Sequence, residues 1–185
     1  MKYRTAFLTA GSVVAALASP AANAGAFEIH SQAIRPGALV PPEYFSRSFG
    51  CSGSDFQPDL AWSHIPAGTR SLAVTFYDRD APTGSGFWHW VAYDIPVDTA
   101  GLPGGAGGGP LPPGAVEGNT DMGKPGFLGP CPPSGRLHRY VFTLHALKVE
   151  KLPVERGASP ALVGFVLWQN DIATTRLEVR ARRRK

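Results

Sequence analysis

Short runs of alternating or β-branched and aromatic residues, separated by Gly- and Pro-rich segments, dominate the chain after residue 25. Such runs, bounded by turn residues, are typical of β-strands. They predict strands over the following stretches: 27–29, 58–62, 71–77, 89–93, 139–147 and 177–179. A helix is predicted over 161–168, because Ser159 suits the N-cap and Pro160 suits the first helical position. Many strands with one late helix predict a mainly β fold.

A low-complexity segment interrupts this pattern between Gly101 and Gly114, where eleven of fourteen residues are Gly or Pro. A second loop, over 119–133, is also dense in Gly and Pro. Candidate site residues lie on both sides of the first segment and are expected to form one site. We therefore interpret it as a long surface loop and not as a linker, within a single domain over 25–179.

The first 24 residues have the pattern of a secretory signal peptide. Lys2 and Arg4 precede a short apolar run of small residues, and Ala22-Asn23-Ala24 supplies an A-x-A cleavage site. The apolar run is too short for a membrane span, and no later segment reaches the necessary length. We expect cleavage after Ala24 and a periplasmic or secreted protein with no transmembrane segment.

The positive charge of the chain is concentrated at its C-terminus. The formal net charge is +4, and loss of Lys2 and Arg4 with the signal peptide leaves +2. Five positive charges lie within 180–185, so the remainder of the domain carries −3. We expect 180–185 to be a disordered basic tail. A nucleic-acid partner is not expected, because it would require basic residues on the folded surface.

Cys51 and Cys131 are the two cysteines of the chain. Export to an oxidising compartment permits a disulfide between them, and two separate thiols are the alternative. The sequence leaves both alternatives open.

Polar side chains are concentrated between two predicted strands, from Asp78 to Trp90. Asp78 and Asp80 follow the first strand, and the period of two predicts that both carboxylates lie on one face. His89 begins the next strand, close enough to join them. A cluster of carboxylates and an imidazole at the end of a strand, lined by aromatic residues, is typical of a pocket for a small polar ligand.

Four motifs occur in order along the chain: Asp78-Arg79-Asp80-Ala81-Pro82, Gly86-Phe87-Trp88-His89-Trp90, Gly129-Pro130-Cys131-Pro132-Pro133 and His138-Arg139-Tyr140. Together they resemble the phosphatidylethanolamine-binding protein family, and most closely its bacterial branch, the Raf-kinase-inhibitor-like proteins. The resemblance implies a Greek-key β-sandwich with a large antiparallel sheet, a smaller sheet and short peripheral helices. It also implies a small anion pocket for phosphate-type headgroups, lined by Asp78, Asp80, His89, Gly129, Pro130, His138 and Tyr140.

The chemistry of these residues agrees with such a pocket. The two imidazoles, the Tyr140 hydroxyl and the backbone N–H groups of the Gly129 loop are candidate donors to an anion. The two carboxylates are candidates to pair with a ligand ammonium, as in phosphoethanolamine, or to orient the imidazoles. Two positions depart from the family pattern: Arg79 replaces a usual proline, and Phe165 replaces a histidine that bacterial members often carry in the late helix.

Three functions are compatible with the sequence. The first is a protein that binds a small anionic or phosphorylated ligand without turnover or cofactor, since Ser85 and Ser134 lack the context of an activated nucleophile. The second is an inhibitor or regulator of an exported protease or kinase, acting through the pocket rim. The third is a metal-dependent hydrolase using Asp78, Asp80, His89 and His138, although no H-E-x-x-H-like spacing supports it. A protein target and a second copy of the chain are further candidate partners.

Overall fold

Antiparallel strands form most of the regular structure of residues 25–184, which are the residues that the computed structural model describes. The strands are β1 (Glu28–His30), β2 (Phe56–Gln57), β3 (Leu60–Ser63), β4 (Ser71–Asp78), β5 (Phe87–Pro96), β6 (Gly101–Leu102), β7 (Gly105–Ala106), β8 (Val116–Glu117), β9 (Leu137–Leu147) and β10 (Asp171–Arg182). The helix α1 spans Pro160–Asn170, and a short 3-10 turn spans Pro42–Tyr44. The predicted signal peptide lies outside the described residues. Within 25–184, no helix has the length and apolar character needed to cross a membrane.

The strands assemble into one large and two smaller antiparallel sheets. The large sheet has five strands in the order β10-β9-β4-β5-β8, the second has the order β1-β3-β6, and β2 pairs with β7. The predicted fold class, mainly β with a large antiparallel sheet and a smaller one, is confirmed.

The hydrophobic core lies on both faces of the large sheet. On one face, Phe76 and Phe142 stack with ring centroids 4.0 Å apart, and Ile29 and Trp62 of the small sheet belong to the same cluster. On the other face, Val163 of α1 packs into a second cluster. Because both faces of β4 are covered, this strand consists almost entirely of buried residues and does not show a simple polar alternation.

The predicted helix is confirmed and extends one or two residues further at each end. The Ser159 hydroxyl accepts a hydrogen bond from the backbone N–H of Leu162, as expected of an N-cap. Phe165 and Trp168 are exposed on the side of α1 that faces away from the sheet.

The last strand is longer than predicted, and the prediction of a disordered tail over 180–185 is wrong for residues 180–182. Strand β10 spans twelve residues and pairs with β9 through Arg182, which lies opposite Leu137. Val179 and Ala181 are fully buried, whereas Arg180 and Arg182 point to the opposite face and are exposed. The alternation separates the charges from the core, so the charges do not prevent strand pairing.

The Gly- and Pro-rich segment over 101–114 is only partly a surface loop. Strand β6 pairs with β3 and strand β7 pairs with β2, and Leu102 is buried in the core. A Cβ atom on Gly101 would lie 2.4 Å from the carbonyl oxygen of Leu60, so only glycine permits this approach. The segment is therefore built into the two smaller sheets.

Candidate functional site

A buried aspartate–histidine pair lies where β4 ends and β9 begins. Asp78 Oδ2 accepts a hydrogen bond from Nδ1 of His138 at 2.8 Å, and both residues are at most 5% exposed. The other carboxylate oxygen, Oδ1, accepts from the backbone N–H of Asp80 at 2.9 Å. Both oxygens of Asp78 therefore have a protein partner, and the carboxylate orients the His138 ring.

Asp80 does not join Asp78, contrary to the prediction that both carboxylates lie on one face. Strand β4 ends at Asp78, and the hydrogen bond from Asp80 N–H to the Asp78 side chain closes a turn that reorients the chain. The Asp80 carboxylate instead makes a bidentate ion pair with Arg139, at 2.6 Å to Nη2 and 2.9 Å to Nε. These bonds lower the pKa of Asp80 to about 2, so its charge is already matched within the protein.

His89 reaches the site through a β-bulge. Phe76 pairs with Trp90 and Tyr77 with Trp88, so His89 is the extra residue of β5. A bulge changes which face the following side chains point to. His89 is buried beside the rings of Phe76 and Tyr140.

The protonation of His89 follows from its surroundings. Its Nδ1 lies 3.0 Å from the carbonyl oxygen of Leu128, which can only accept, so Nδ1 carries the hydrogen. Burial lowers the pKa of His89 to about 4. The imidazole is therefore neutral at pH 7, and Nε2 is available as an acceptor.

Gly129 and Pro130 attach their loop to the neighbouring loop through backbone hydrogen bonds. The backbone N–H of Gly129 donates to Asp55 Oδ1 at 2.8 Å, and the carbonyl oxygen of Pro130 accepts from the backbone N–H of Ser46 at 3.0 Å. A Cβ atom on Gly129 would lie 2.2 Å from the carbonyl oxygen of Tyr44. The predicted donor role of the Gly129 N–H is therefore taken by an internal hydrogen bond, and the two residues fix the loop against its neighbour.

Tyr140 lies beneath the site. Its side chain is fully buried, and its hydroxyl has no hydrogen-bond partner within the described part of the chain. Burial and the nearby Asp78 carboxylate raise the pKa of Tyr140. The hydroxyl is therefore a neutral, unused donor, and its contact with a ligand stays a prediction.

A pocket of about 300 Å³, which we call the histidine pocket, opens above Asp78, His89 and His138. Its other lining residues are mostly apolar and come from separate segments: Phe49, Ala81, Pro82, Thr83, Phe87, Cys131, Pro132, Pro133 and Arg183. The structure thus brings together three of the seven predicted site residues, Asp78, His89 and His138.

Phe49 and Arg183 are two of the pocket residues that were not predicted, and both lie far from the four motifs in sequence. Arg183 Nη1 donates to the carbonyl oxygen of Phe49 at 2.9 Å and lies 3.8 Å from each sulfur of a disulfide between Cys51 and Cys131. Of the two alternatives for the cysteines, the structure therefore has the disulfide. The alternation of charged residues with Leu177, Val179 and Ala181 was the sequence signal that this strand continues toward Arg183.

A larger cavity of about 760 Å³, which we call the arginine cleft, adjoins the histidine pocket. The two cavities share Pro82, Pro133 and His138. The remaining residues that line the arginine cleft are mainly charged: Asp80, Arg136, Leu137, Arg139 and Arg180. Arg180, which was expected in a disordered tail, therefore contributes to a folded, positively charged surface.

The two departures from the family motifs lie outside both cavities. Arg79 points toward β10, where its Nη1 lies 3.8 Å from Glu178 Oε2. Phe165 lies against Trp168 on the exposed side of α1, with ring centroids 6.0 Å apart. Neither side chain contributes to the lining of the histidine pocket.

The residues proposed for a metal-dependent hydrolase do not form a metal site. Asp78 is bonded to His138, and Asp80 is bonded to Arg139. Among residues 25–184, no three His, Cys, Asp or Glu side chains are grouped so that they could hold a metal ion. This geometry gives the hydrolase alternative no support.

Fold and site together define a β-sandwich protein with a small, partly apolar pocket containing oriented polar groups, which is the usual form of a ligand-binding site. A family model described as phosphatidylethanolamine-binding protein matches residues 30–182. The chain belongs to this family, as its four motifs predicted.

Individual relatives agree with this assignment. The chain is 46% identical over 170 residues to the UPF0098 protein YbcL of Escherichia coli, covering 90% of this chain and 93% of that protein. It is also 46% identical over 146 residues to YbhB of the same organism, covering 78% and 92%. The crystal structure of E. coli YbcL, described as a member of the mammalian PEBP family, superposes with a TM-score of 0.81 over 84% of this chain and 98% of that one. A homologue from Chlamydia trachomatis, 30% identical, superposes with a TM-score of 0.71 over 84% and 96%.

Proposed function

We propose that the protein is an exported binding protein that holds a small phosphorylated or anionic ligand in the histidine pocket and releases it unchanged. The observation that carries this proposal is the buried Asp78–His138 pair, which lies at the base of a pocket whose wall includes the Arg183 guanidinium. The family name supplies the class of headgroup, phosphoethanolamine and related phosphate esters.

The polar groups of the pocket suit a phosphate that carries a proton. Arg183 supplies a permanent positive charge and donors. His138 is bonded to Asp78 through Nδ1, which fixes the orientation of its ring and leaves Nε2 for contact with the ligand. Neutral His89 offers Nε2 as an acceptor for a P–OH group. The pocket therefore pairs donors with an acceptor, as a phosphate monoester requires.

Binding without turnover is supported by the state of the possible nucleophiles. The Thr83 hydroxyl donates to the carbonyl oxygen of Gly86, and Cys131 is held in the disulfide. Nucleophilic catalysis requires a nucleophile within hydrogen-bond reach of a base. Among the described residues that line the histidine pocket, we find no such pair.

Export is supported by two independent features. Residues 1–24 have the charge and hydropathy pattern of a signal peptide. The Cys51–Cys131 disulfide is of a kind that persists in the periplasm or outside the cell and is rare in the reducing cytosol.

The test is calorimetric titration of residues 25–185 with phosphate, phosphoethanolamine, ethanolamine and acetate. We expect saturable binding of the two phosphate compounds and none of ethanolamine, because Asp78 and Asp80 already have partners. His138→Ala should weaken phosphate binding by about 1–3 kcal/mol, the cost of leaving buried polar groups unpaired.

The strand that carries His138 also provides a matched control. His145 lies further along β9 and bonds Asp171 through Nδ1 at 2.9 Å, away from both cavities. His145→Ala removes an equivalent aspartate–histidine bond and should leave phosphate affinity unchanged. Equal weakening in both variants, or no binding of either phosphate compound by the parent, would contradict the proposal.

A further inference from the structure

We propose that the arginine cleft is a second anion subsite, so that the ligand is a phosphate ester carrying a second anionic group. The inference rests on the proposed function, because the first phosphate is taken to occupy the histidine pocket. The two cavities lie side by side and share the His138 side chain and two prolines as their common wall. A single elongated ligand is thus able to reach both.

The arginine cleft has an excess of positive charge. Its lining includes Arg136, Arg139 and Arg180 but a single acid, Asp80. The ion pair with Arg139 uses that acid fully, since both carboxylate oxygens bond the guanidinium. Within residues 25–184, Arg136 and Arg180 form no ion pair. Two guanidinium groups are therefore available to an external anion.

The register of the large sheet places two arginines of the arginine cleft directly opposite each other. Arg139 of β9 and Arg180 of β10 are direct cross-strand partners. Like charges directly opposite on neighbouring strands destabilise a sheet. The next acid along β10, Glu178, lies beside Arg79. Arg139 is already paired with Asp80, so the charge without a counter-charge is that of Arg180, and an anion between Arg136 and Arg180 would supply one.

The size of the cleft also exceeds what one phosphate needs. Its volume is about 760 Å³, beside about 300 Å³ for the histidine pocket. Ligand pockets for compounds of drug size span roughly 300–1,000 Å³. Arginine is suited to the planar, bidentate recognition of phosphate and carboxylate. The cleft therefore fits the second phosphate or carboxylate of a bis-anion together with its linking atoms.

The experiment compares matched ligands on matched variants of residues 25–185. The ligands are the bisphosphates of straight-chain diols from ethanediol to hexanediol and the monophosphates of the corresponding alcohols. One variant is Arg136→Gln/Arg180→Gln. The control is Arg70→Gln/Arg156→Gln, which removes the same charge from exposed positions outside both cavities.

We expect at least one bisphosphate to bind about tenfold or more tightly than its monophosphate. A gain of this size is typical of hydrogen bonds to a charged group. That gain should fall to about twofold or less in Arg136→Gln/Arg180→Gln and persist in the control, while monophosphate affinity changes little in either. The inference is overturned if no bisphosphate binds more tightly than its monophosphate, or if the gain survives in Arg136→Gln/Arg180→Gln.

The failure of the proposed function gives a different result. If monophosphates bind and bisphosphates bind no better, the histidine pocket stands and the second subsite is wrong. If neither class binds, both are wrong. If bisphosphates bind through Arg136 and Arg180 but His138→Ala has no effect, the cleft binds anions and the histidine pocket does not.

Discussion

His89 illustrates how the environment of one residue determines its chemistry. The bulge in β5 places its ring in the core, and the carbonyl of Leu128 fixes its tautomer. Burial disfavours the charged form, so this histidine stays neutral at a pH at which an exposed histidine is partly protonated. The same burial links the stability of the protein to pH.

We predict that His89 makes the protein less stable as the pH falls from 6.5 to 4. Its pKa drops from 6.5 to about 4 on folding, so between these values the unfolded chain binds a proton that the folded protein does not. The stabilisation is fully present above pH 6.5 and is lost as the pH falls through the folded pKa. Its size is on the order of 3 kcal/mol.

Urea unfolding of the parent and of His89→Gln across this pH range measures the effect. Glutamine retains an N–H donor near Leu128 but does not titrate, so its stability should fall less with acid. His30→Gln is the control, because His30 is exposed. Parallel stability curves for the parent and His89→Gln would show that the burial of His89 has no thermodynamic consequence.

Other site residues show what a motif can and cannot predict. Asp78 and His138 were predicted to belong to one site and do lie together. Asp78 ends β4 and His138 lies at the start of β9, and the apolar pattern of both strands was evident in the sequence. Asp80 was placed on the same face, but a turn closed by the Asp78 side chain directs it to Arg139. A turn of this kind depends on a side-chain hydrogen bond that strand periodicity does not report.

Among the elements, β10 contributes to the site although the sequence did not predict it there. It forms an edge of the large sheet, contributes Val179 and Ala181 to the core, and leads to Arg183 in the histidine pocket. The sequence suggested a charged tail because five of its last six residues are basic. The alternation with small and apolar residues proved more informative than the charge, since one face of the strand is buried.

We predict that ending the chain after Val179 destabilises the protein. The truncation removes buried Ala181, three residues of the β9–β10 ladder and the bond from Arg183 to Phe49. Each lost hydrogen bond costs about 1 kcal/mol net, so we expect the free energy of unfolding to fall by on the order of 3 kcal/mol. Thermal and urea unfolding measure it.

The control separates strand pairing from charge. Full-length Arg180→Gln/Arg182→Gln/Arg184→Gln loses charge but keeps the strand, and should unfold at nearly the parent's denaturant concentration. A truncated protein as stable as the parent would mean that residues 180–182 contribute nothing to the fold.

At the scale of the whole molecule, the disulfide connects distant parts of the chain at the histidine pocket. Cys51 and Cys131 are 80 residues apart in sequence, and their Cα atoms are 6.0 Å apart. The bond joins the loop of Phe49 to the loop of Pro132 and Pro133, and both loops line the pocket.

We predict that Cys51→Ser/Cys131→Ser lowers the free energy of unfolding by on the order of 4 kcal/mol, because the bond restricts a long loop in the unfolded chain. Urea unfolding of the variant and of the parent, each with and without reductant, checks this. The reduced parent should resemble the variant, and the variant should not respond to reductant. Unfolding curves of the parent that coincide with and without reductant would contradict the prediction.

The sequence by itself determined the class of fold, the central strands, the late helix and the family. These features depend on local pattern: strand periodicity, the Ser159-Pro160 start of α1, and four motifs of fixed spacing. The tertiary structure decided how the site is assembled, because its walls come from six separate segments around Phe49, Asp78, His89, Cys131, His138 and Arg183. Contacts between residues distant in sequence leave no periodic signal, so the partner of Asp80, the bulge at His89, the role of Arg183 and the pairing of the cysteines emerge only when the strands are packed together.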